Sequence, residues 1–260
     1  MIGTLVSYRA IATNLDRALS NVRSAKAVQR ETTYFEANVG SIKSIDDFMS
    51  NTRVYRYVLR AFGMGELIPS KALIRKVLEG GIDDRRSLAN SLADPRFREL
   101  AETFNFARYG SATTSFTRTQ SGVVDRFMQS SLEETAGQSN EGVRLALYFQ
   151  RKAPSVNGIY DILADKALYR VIETAFDLPS SLPAIGVERQ AAAIQKKFDV
   201  ASLKDPQKLS VLIERFATLW DLGATQASDS PVLQLFRSDL ASQASSQTLT
   251  AIQNLPFLRR

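Results

Sequence analysis

The sequence predicts an all-α protein built from two homologous multi-helix halves, and three observations predict it. Phrases of the first half return in the second at a fixed offset. No stretch alternates apolar and polar residues with period two over a convincing length. The apolar residues recur instead at helical spacing behind polar residues suited to cap a helix.

The repeat is visible in "IDDFMSNTRVYRYVLRAFGM" from Ile45 and "IYDILADKALYRVIETAFDL" from Ile159. Phe149 follows Phe35 by 114 positions. The same step joins Tyr34 to Tyr148, Asp47 to Asp161, Phe48 to Ile162, Tyr55 to Tyr169 and Phe62 to Phe176. Self-similarity at one offset marks a repeated structural unit. A second pair, "LADPRFRELAETFNF" and "LKDPQKLSVLIERFATLW", aligns Asp94-Pro95 with Asp205-Pro206 and ends on Phe104 and Phe216. The eight residues Phe35, Phe48, Phe62, Phe104, Phe149, Ile162, Phe176 and Phe216 are the expected core of the repeat. Asn51, Asp94, Asp165 and Asp205 open the four segments as N-caps, and Pro95 and Pro206 suit the first helical position. The run Val54, Tyr57, Val58, Ala61, Phe62 has the spacing of one buried helix face.

In chain order, residues 5–30 read as one long amphipathic helix. Leu5, Tyr8, Leu15, Leu19 and Val22 form a seam at alternating steps of three and four. That seam suits three roles: packing on the chain's own core, pairing with a partner, or lying on an anionic membrane surface with its basic side. As a domain, residues 1–30 are this helix, and the first helical repeat occupies 31–109. It ends its main helix near Gly63, adds a helix over about 69–79 stopped by Gly80-Gly81, and a short capped segment from Ser87. Residues 110–122, rich in Gly, Ser and Thr, read as a linker. The second repeat occupies 123–222, with helix over 123–151 and again over 186–198. Because the linker is short, a shared core stands as an alternative to separate domains. The tail, 223–260, breaks at Ser230-Pro231 and reads as either a weakly held helix or a segment ordered by a partner. Trp220 reads as a core anchor.

Composition narrows function. The 260 residues are 44% hydrophobic and 23% charged, as in ordinary globular proteins. Cysteine and histidine are both absent. Disulfides, thiol chemistry and any Ser-His-Asp or Cys-His arrangement within the chain are excluded. No apolar run reaches the roughly 18 residues that span a bilayer, so no integral membrane segment is expected. The N-terminus lacks the pattern of a Sec signal peptide. The net charge of +6 is spread among acids rather than clustered, which disfavours nucleic acid. No phosphate-binding loop, dinucleotide fingerprint or nucleophile elbow is present. The pair Asp46-Asp47 resembles catalytic carboxylates, but the second copy has Tyr160-Asp161. Ser44 three residues before Asp47 makes a capping-box pattern, so the acid serves the helix end. No catalytic, metal or cofactor residues are assigned, and no cofactor is expected.

The strings "ETTYFEANVGSIKSIDDFMSNTRVYRYVLRAFGM", "RKVLEGGIDD", "NEGVRLALYFQRKAPSVNGIYDILADKALYRVIETAFDLP" and "LKDPQKLSVLIERFATLWD" resemble an uncharacterised bacterial family, a domain of unknown function common in alphaproteobacteria. The resemblance runs from about Thr4 to Asp221. Members of that family often sit in flagellar gene clusters and are commonly labelled flagellar proteins. The resemblance implies a non-enzymatic structural or protein-binding component of flagellar assembly or motility, in the cytoplasm or on the flagellar apparatus. The partner it implies is a flagellar protein, with a homo-oligomer as a further expectation. Two other readings are a basic nucleic-acid-binding regulator and an enzyme using carboxylates only.

Overall fold

The computed structural model describes residues 3–228, all of whose regular structure is helical. The helices are α1 (Thr4–Ala12), α2 (Leu15–Ser24), α3 (Lys26–Val39), α4 (Ile45–Ser50), α5 (Thr52–Ala61), α6 (Lys71–Gly80), α7 (Leu88–Ser91) and α8 (Pro95–Thr103). They continue as α9 (Phe106–Tyr109), α10 (Ser121–Ser139), α11 (Glu141–Lys152), α12 (Ile159–Ala164), α13 (Lys166–Ala175), α14 (Val187–Gln195) and α15 (Pro206–Ser228). Short 3-10 turns join several of them. The expected tail over 229–260 lies outside the described residues. The boundary expected at 222/223 falls inside α15, which runs through Gly223.

Local chemistry sets the helix starts. The Ser44 hydroxyl accepts from the Asp47 N–H at 3.1 Å, and the Asn51 carbonyl oxygen of the side chain accepts from Val54 at 3.1 Å. Asp94 accepts from Arg96, Asp165 from Ala167 and Leu168, and Asp205 from Gln207 and Lys208. Each acceptor satisfies a first-turn donor that has no partner within its helix.

The ends of α5 and α13 match as well. Met64 N–H donates to Leu59 O and Gly63 N–H to Arg60 O. In the second copy, Leu178 donates to Glu173 and Asp177 to Thr174. Both form the 6→1 and 5→2 pair of a Schellman turn, which needs a left-handed residue. Gly63 supplies it at φ 66°, and Asp177 adopts it at φ 46°.

Two hydrophobic cores form. The first draws on residues from Phe35 to Met128, the second on residues from Leu132 to Phe216 together with Tyr8. Seven of the eight expected repeat-core residues are buried, and Phe176 is partly buried against the second core. Both cores meet on α10: Val123, Val124, Phe127 and Met128 face the first, Leu132 the second. The Phe127 ring stacks on Tyr57 at 3.9 Å, and Tyr57 stacks on Phe35 at 4.5 Å. Thr32 and Tyr57 share a buried hydroxyl–hydroxyl bond of 3.1 Å.

Three expectations about segmentation are corrected. Residues 5–30 are not one helix. The chain bends at Asn14, whose φ −126° and ψ 45° are non-helical, and at Ala25, which is extended. A straight helix of that length would run about 39 Å. The bends instead let Tyr8 enter the second core while Leu19 and Val22 pack against both cores. The 110–122 segment is no loose linker. It forms 3-10 turns, and Thr113, Thr114 and Thr119 are fully buried. Their hydroxyls donate to carbonyls of Gly110, Ile42 and Phe116, each at 2.8 Å. Residues 123–151 are two helices, broken at Asn140, whose side chain caps α11.

The first and last described helices are tied together. Thr4 N–H donates to Asp221 Oδ2 at 2.8 Å, and its hydroxyl donates to Asp221 Oδ1 at 2.5 Å. The Asn140 side-chain amide donates to the Thr4 hydroxyl at 3.0 Å. An acid from α15 therefore caps α1, whose own cap residue, Gly3, has no side chain to do so.

Replacing Asp177 with Gly removes a side chain from a left-handed position and is expected to raise stability by about 0.5 kcal/mol. Gly63→Ala is expected to lower it by about 1 kcal/mol. Urea unfolding of both variants checks the pair.

Candidate functional site

Two grooves open at corresponding places in the two repeats. The first, about 610 Å³, is lined by residues including Tyr34, Ser41, Asp47, Ser50, Asn51 and Arg53. The second, about 590 Å³, is lined by Ser155, Val156, Asp161 and Asp165 among others. Ser155, Val156, Asp161 and Asp165 stand 114 positions after Ser41, Ile42, Asp47 and Asn51, which all line the first groove. The grooves are thus one feature made twice by the turn before α4 or α12 and the start of α5 or α13.

The same hydrogen bonds build both. In the first, Asp47 accepts from the Lys43 N–H at 2.9 Å. In the second, Asp161 accepts from Asn157 at 2.9 Å and Gly158 at 3.2 Å. The Tyr34 hydroxyl reaches the Asn51 cap at 3.4 Å, and the Tyr148 hydroxyl donates to the Asp165 cap at 2.6 Å. The backbone N–H of Lys43 and then the Ser44 hydroxyl hold the Asp47 carboxyl below its ordinary range. Burial, reinforced by the adjacent Asp165 carboxylate, pushes the Tyr148 hydroxyl far above the ordinary tyrosine value.

Their surroundings differ. The second groove is walled on one side by α8, which contributes Pro95, Arg98, Glu99 and Glu102. Glu99 bridges Arg126 at 3.1 Å and Lys152. Behind them Arg151 makes a bidentate pair with Glu133 at 2.7 and 2.9 Å, and its guanidinium sits 5.1 Å from the Tyr148 ring centre. Burial works against the Arg151 charge, but the Glu133 carboxylate outweighs it and the pKa ends above its usual value. In the first groove, Arg53 pairs with Glu31 at 3.1 Å and lies 4.1 Å over the Tyr34 ring.

This arrangement uses its charges in pairs and caps. Asp47 and Asp161 sit in separate repeats, and among the described residues no three acids gather as metal ligands. Of the seam expected to meet a partner, Tyr8 is buried in the second core and Leu19 and Val22 pack inside the chain. Leu5 is half-buried, and Leu15 remains 37% exposed. The seam is therefore largely an internal contact. Sequence reasoning missed the buried Glu133–Arg151 pair and the Asp221 cap. Neither has a local spacing signal, because their partners lie 18 and 217 positions away.

A chain of two capped-helix units sharing a central helix, with ion pairs closing the seam between them, is the class this geometry defines. The model of the family described as "Protein of unknown function (DUF1217)" matches residues 61–209, and the chain belongs to that family. It is similar to a protein from Agrobacterium tumefaciens whose crystal structure is known, at 44% identity and a TM-score of 0.80. The match covers 85% of this chain and 94% of that one. No curated protein matches it. Among the described residues no helix is long and apolar enough to cross a membrane.

Two predictions test the electrostatics. Burial raises the hydroxyl pKa of Tyr8 to about 12, and raises those of Tyr57 and Tyr148 further. Above pH ~10 the unfolded tyrosines release protons that the folded ones keep, so stability falls as pH rises from there. Urea midpoints measured between pH 8 and pH 12 should decline from about pH 10, and Tyr148→Phe should lessen the decline. Glu133→Gln leaves the Arg151 charge, whose side chain is 24% exposed, with one neutral acceptor. It is expected to cost about 2 kcal/mol, checked by denaturant unfolding at neutral pH.

Proposed function

We propose that this chain is a non-enzymatic structural or protein-binding component of the flagellar apparatus or its assembly, acting through helix surfaces. The observation that carries the reading is the fate of its acids. Asp47, Asp94, Asp161, Asp165 and Asp205 accept backbone N–H groups around helix starts. Glu99 holds Arg126 and Lys152 across the seam between the repeats, and Glu133 holds Arg151 within the second. These are groups of a scaffold. The flagellar context rests on the resemblance of the repeat strings to proteins of flagellar gene clusters.

The surface offered to a partner is narrower than the helical seam read from the sequence, keeping Leu15 of that seam and adding Val6. Val6 at 62% exposed and Leu15 at 37% are apolar positions of α1 and α2 still facing solvent. Exposed apolar residues on a folded surface are where partners gain contact area. The reading includes a place on the flagellar apparatus or in the cytoplasm that feeds it.

Affinity capture from motile cells, with a mutant lacking the flagellar structure as control, is the test. Flagellar components are expected with the wild-type chain, depleted at least tenfold with Val6→Glu/Leu15→Glu at unchanged helical content. Recovery of the same proteins from both strains, none of them flagellar, would sink the reading.

A further inference from the structure

The two grooves differ in their walls: α8 lines one side of the second, and no helix from outside its own repeat lines the first. The caps and first prolines of α8 and α15 stand 111 apart; past that first turn the two helices match at a step of 112, and the match extends to burial. Phe97 and Leu209, Leu100 and Leu212, Ala101 and Ile213, and Phe104 and Phe216 are buried in both. Their inner faces therefore do the same work in the two repeats.

Their outer faces do not. On α8 the outer face, Arg98, Glu99 and Glu102, lies on the second groove. The corresponding residues of α15 are Ser210, Val211 and Glu214. Ser210 is exposed, Val211 is 66% exposed, and Glu214 meets only the chain's own Arg9, at 2.9 Å, among the ion pairs of the described residues. The first groove lacks such a wall, and the α15 face around Val211 lines neither groove.

The charges match this complement. In the second groove Lys152 of α11 pairs with Glu99 of α8. The residue 114 before Lys152 is Asn38, and the residue 112 after Glu99 is Val211. Both partners have lost their charge together. An unpaired lysine or glutamate left on one side would carry a desolvation cost in such a contact.

We propose that the open groove formed by Ser41, Asp47, Ser50 and Arg53 receives the outer face of α15, centred on Val211, from a second copy of this chain. The contact repeats between molecules the place α8 takes beside the second groove within one molecule. Because groove and helix are different surfaces, the association is heterologous and propagates into a ring or an open filament rather than stopping at a two-fold dimer. This inference goes beyond the flagellar reading and needs only the purified chain.

Sedimentation velocity over a concentration series of the full chain tests it. Species larger than a dimer are expected to grow with concentration. Val211→Glu destroys the helix face and Ser50→Arg fills the groove. Both sites are exposed, so thermal unfolding should match the wild type, and each variant alone should be monomeric. Their equimolar mixture should give a 1:1 dimer and nothing larger, because each retains the surface the other lacks. A wild-type chain that stays monomeric to its solubility limit overturns the proposal. So does a plateau at a dimer, association that survives both substitutions, or a mixture that remains monomeric.

Discussion

Everything in this molecule depends on α10 being able to serve two cores at once. A helix of 19 residues has room for two buried faces along its length, one after the other. Its early turns place Val123, Val124, Phe127 and Met128 against the first core, and its later turns place Leu132 against the second. The ring stack Phe35–Tyr57–Phe127 fixes one end, and the Glu133–Arg151 pair fixes the other. Side chains in such contacts lose dispersion energy steeply with small gaps, so the two repeats are held in one relative position. The division of the cores inside a helix also explains why no flexible joint separates the halves.

On that frame the polar chemistry is economical. The same turn is made twice, with an acid accepting backbone donors ahead of a short helix and a tyrosine reaching the cap of the next. What distinguishes the copies is the seam. One groove has α8 along one side, with Glu99 pairing Arg126 and Lys152; the other has no such wall. The contrast between the two grooves thus lies at one helix face.

Much of this was legible in the sequence because much of it is local. Ser44, Asn51, Asp94, Asp165 and Asp205 act within three residues of themselves, and helix-start chemistry has a short signature. The repeat-core aromatics were legible because burial imposes helical spacing. Other features were invisible for a physical reason. The bends at Asn14 and Ala25 serve the packing of Tyr8, Leu19 and Val22 against cores made from distant residues, and helix propensity yields to such packing. The threonine-rich segment reads as a linker by composition. Its hydroxyls gain structural meaning only when Thr114 finds the Ile42 carbonyl 72 positions away. The twin grooves needed the structure, although the offset that relates them was already written in the chain.

The tie between Thr4 and Asp221 has a consequence for biosynthesis. Helix α1 leaves the ribosome before α15, whose carboxylate satisfies its opening turn from 217 positions away. The nascent chain carries α1 as an uncapped, partly apolar segment until α15 has been made. Closure of the first described helix therefore waits on the last described one.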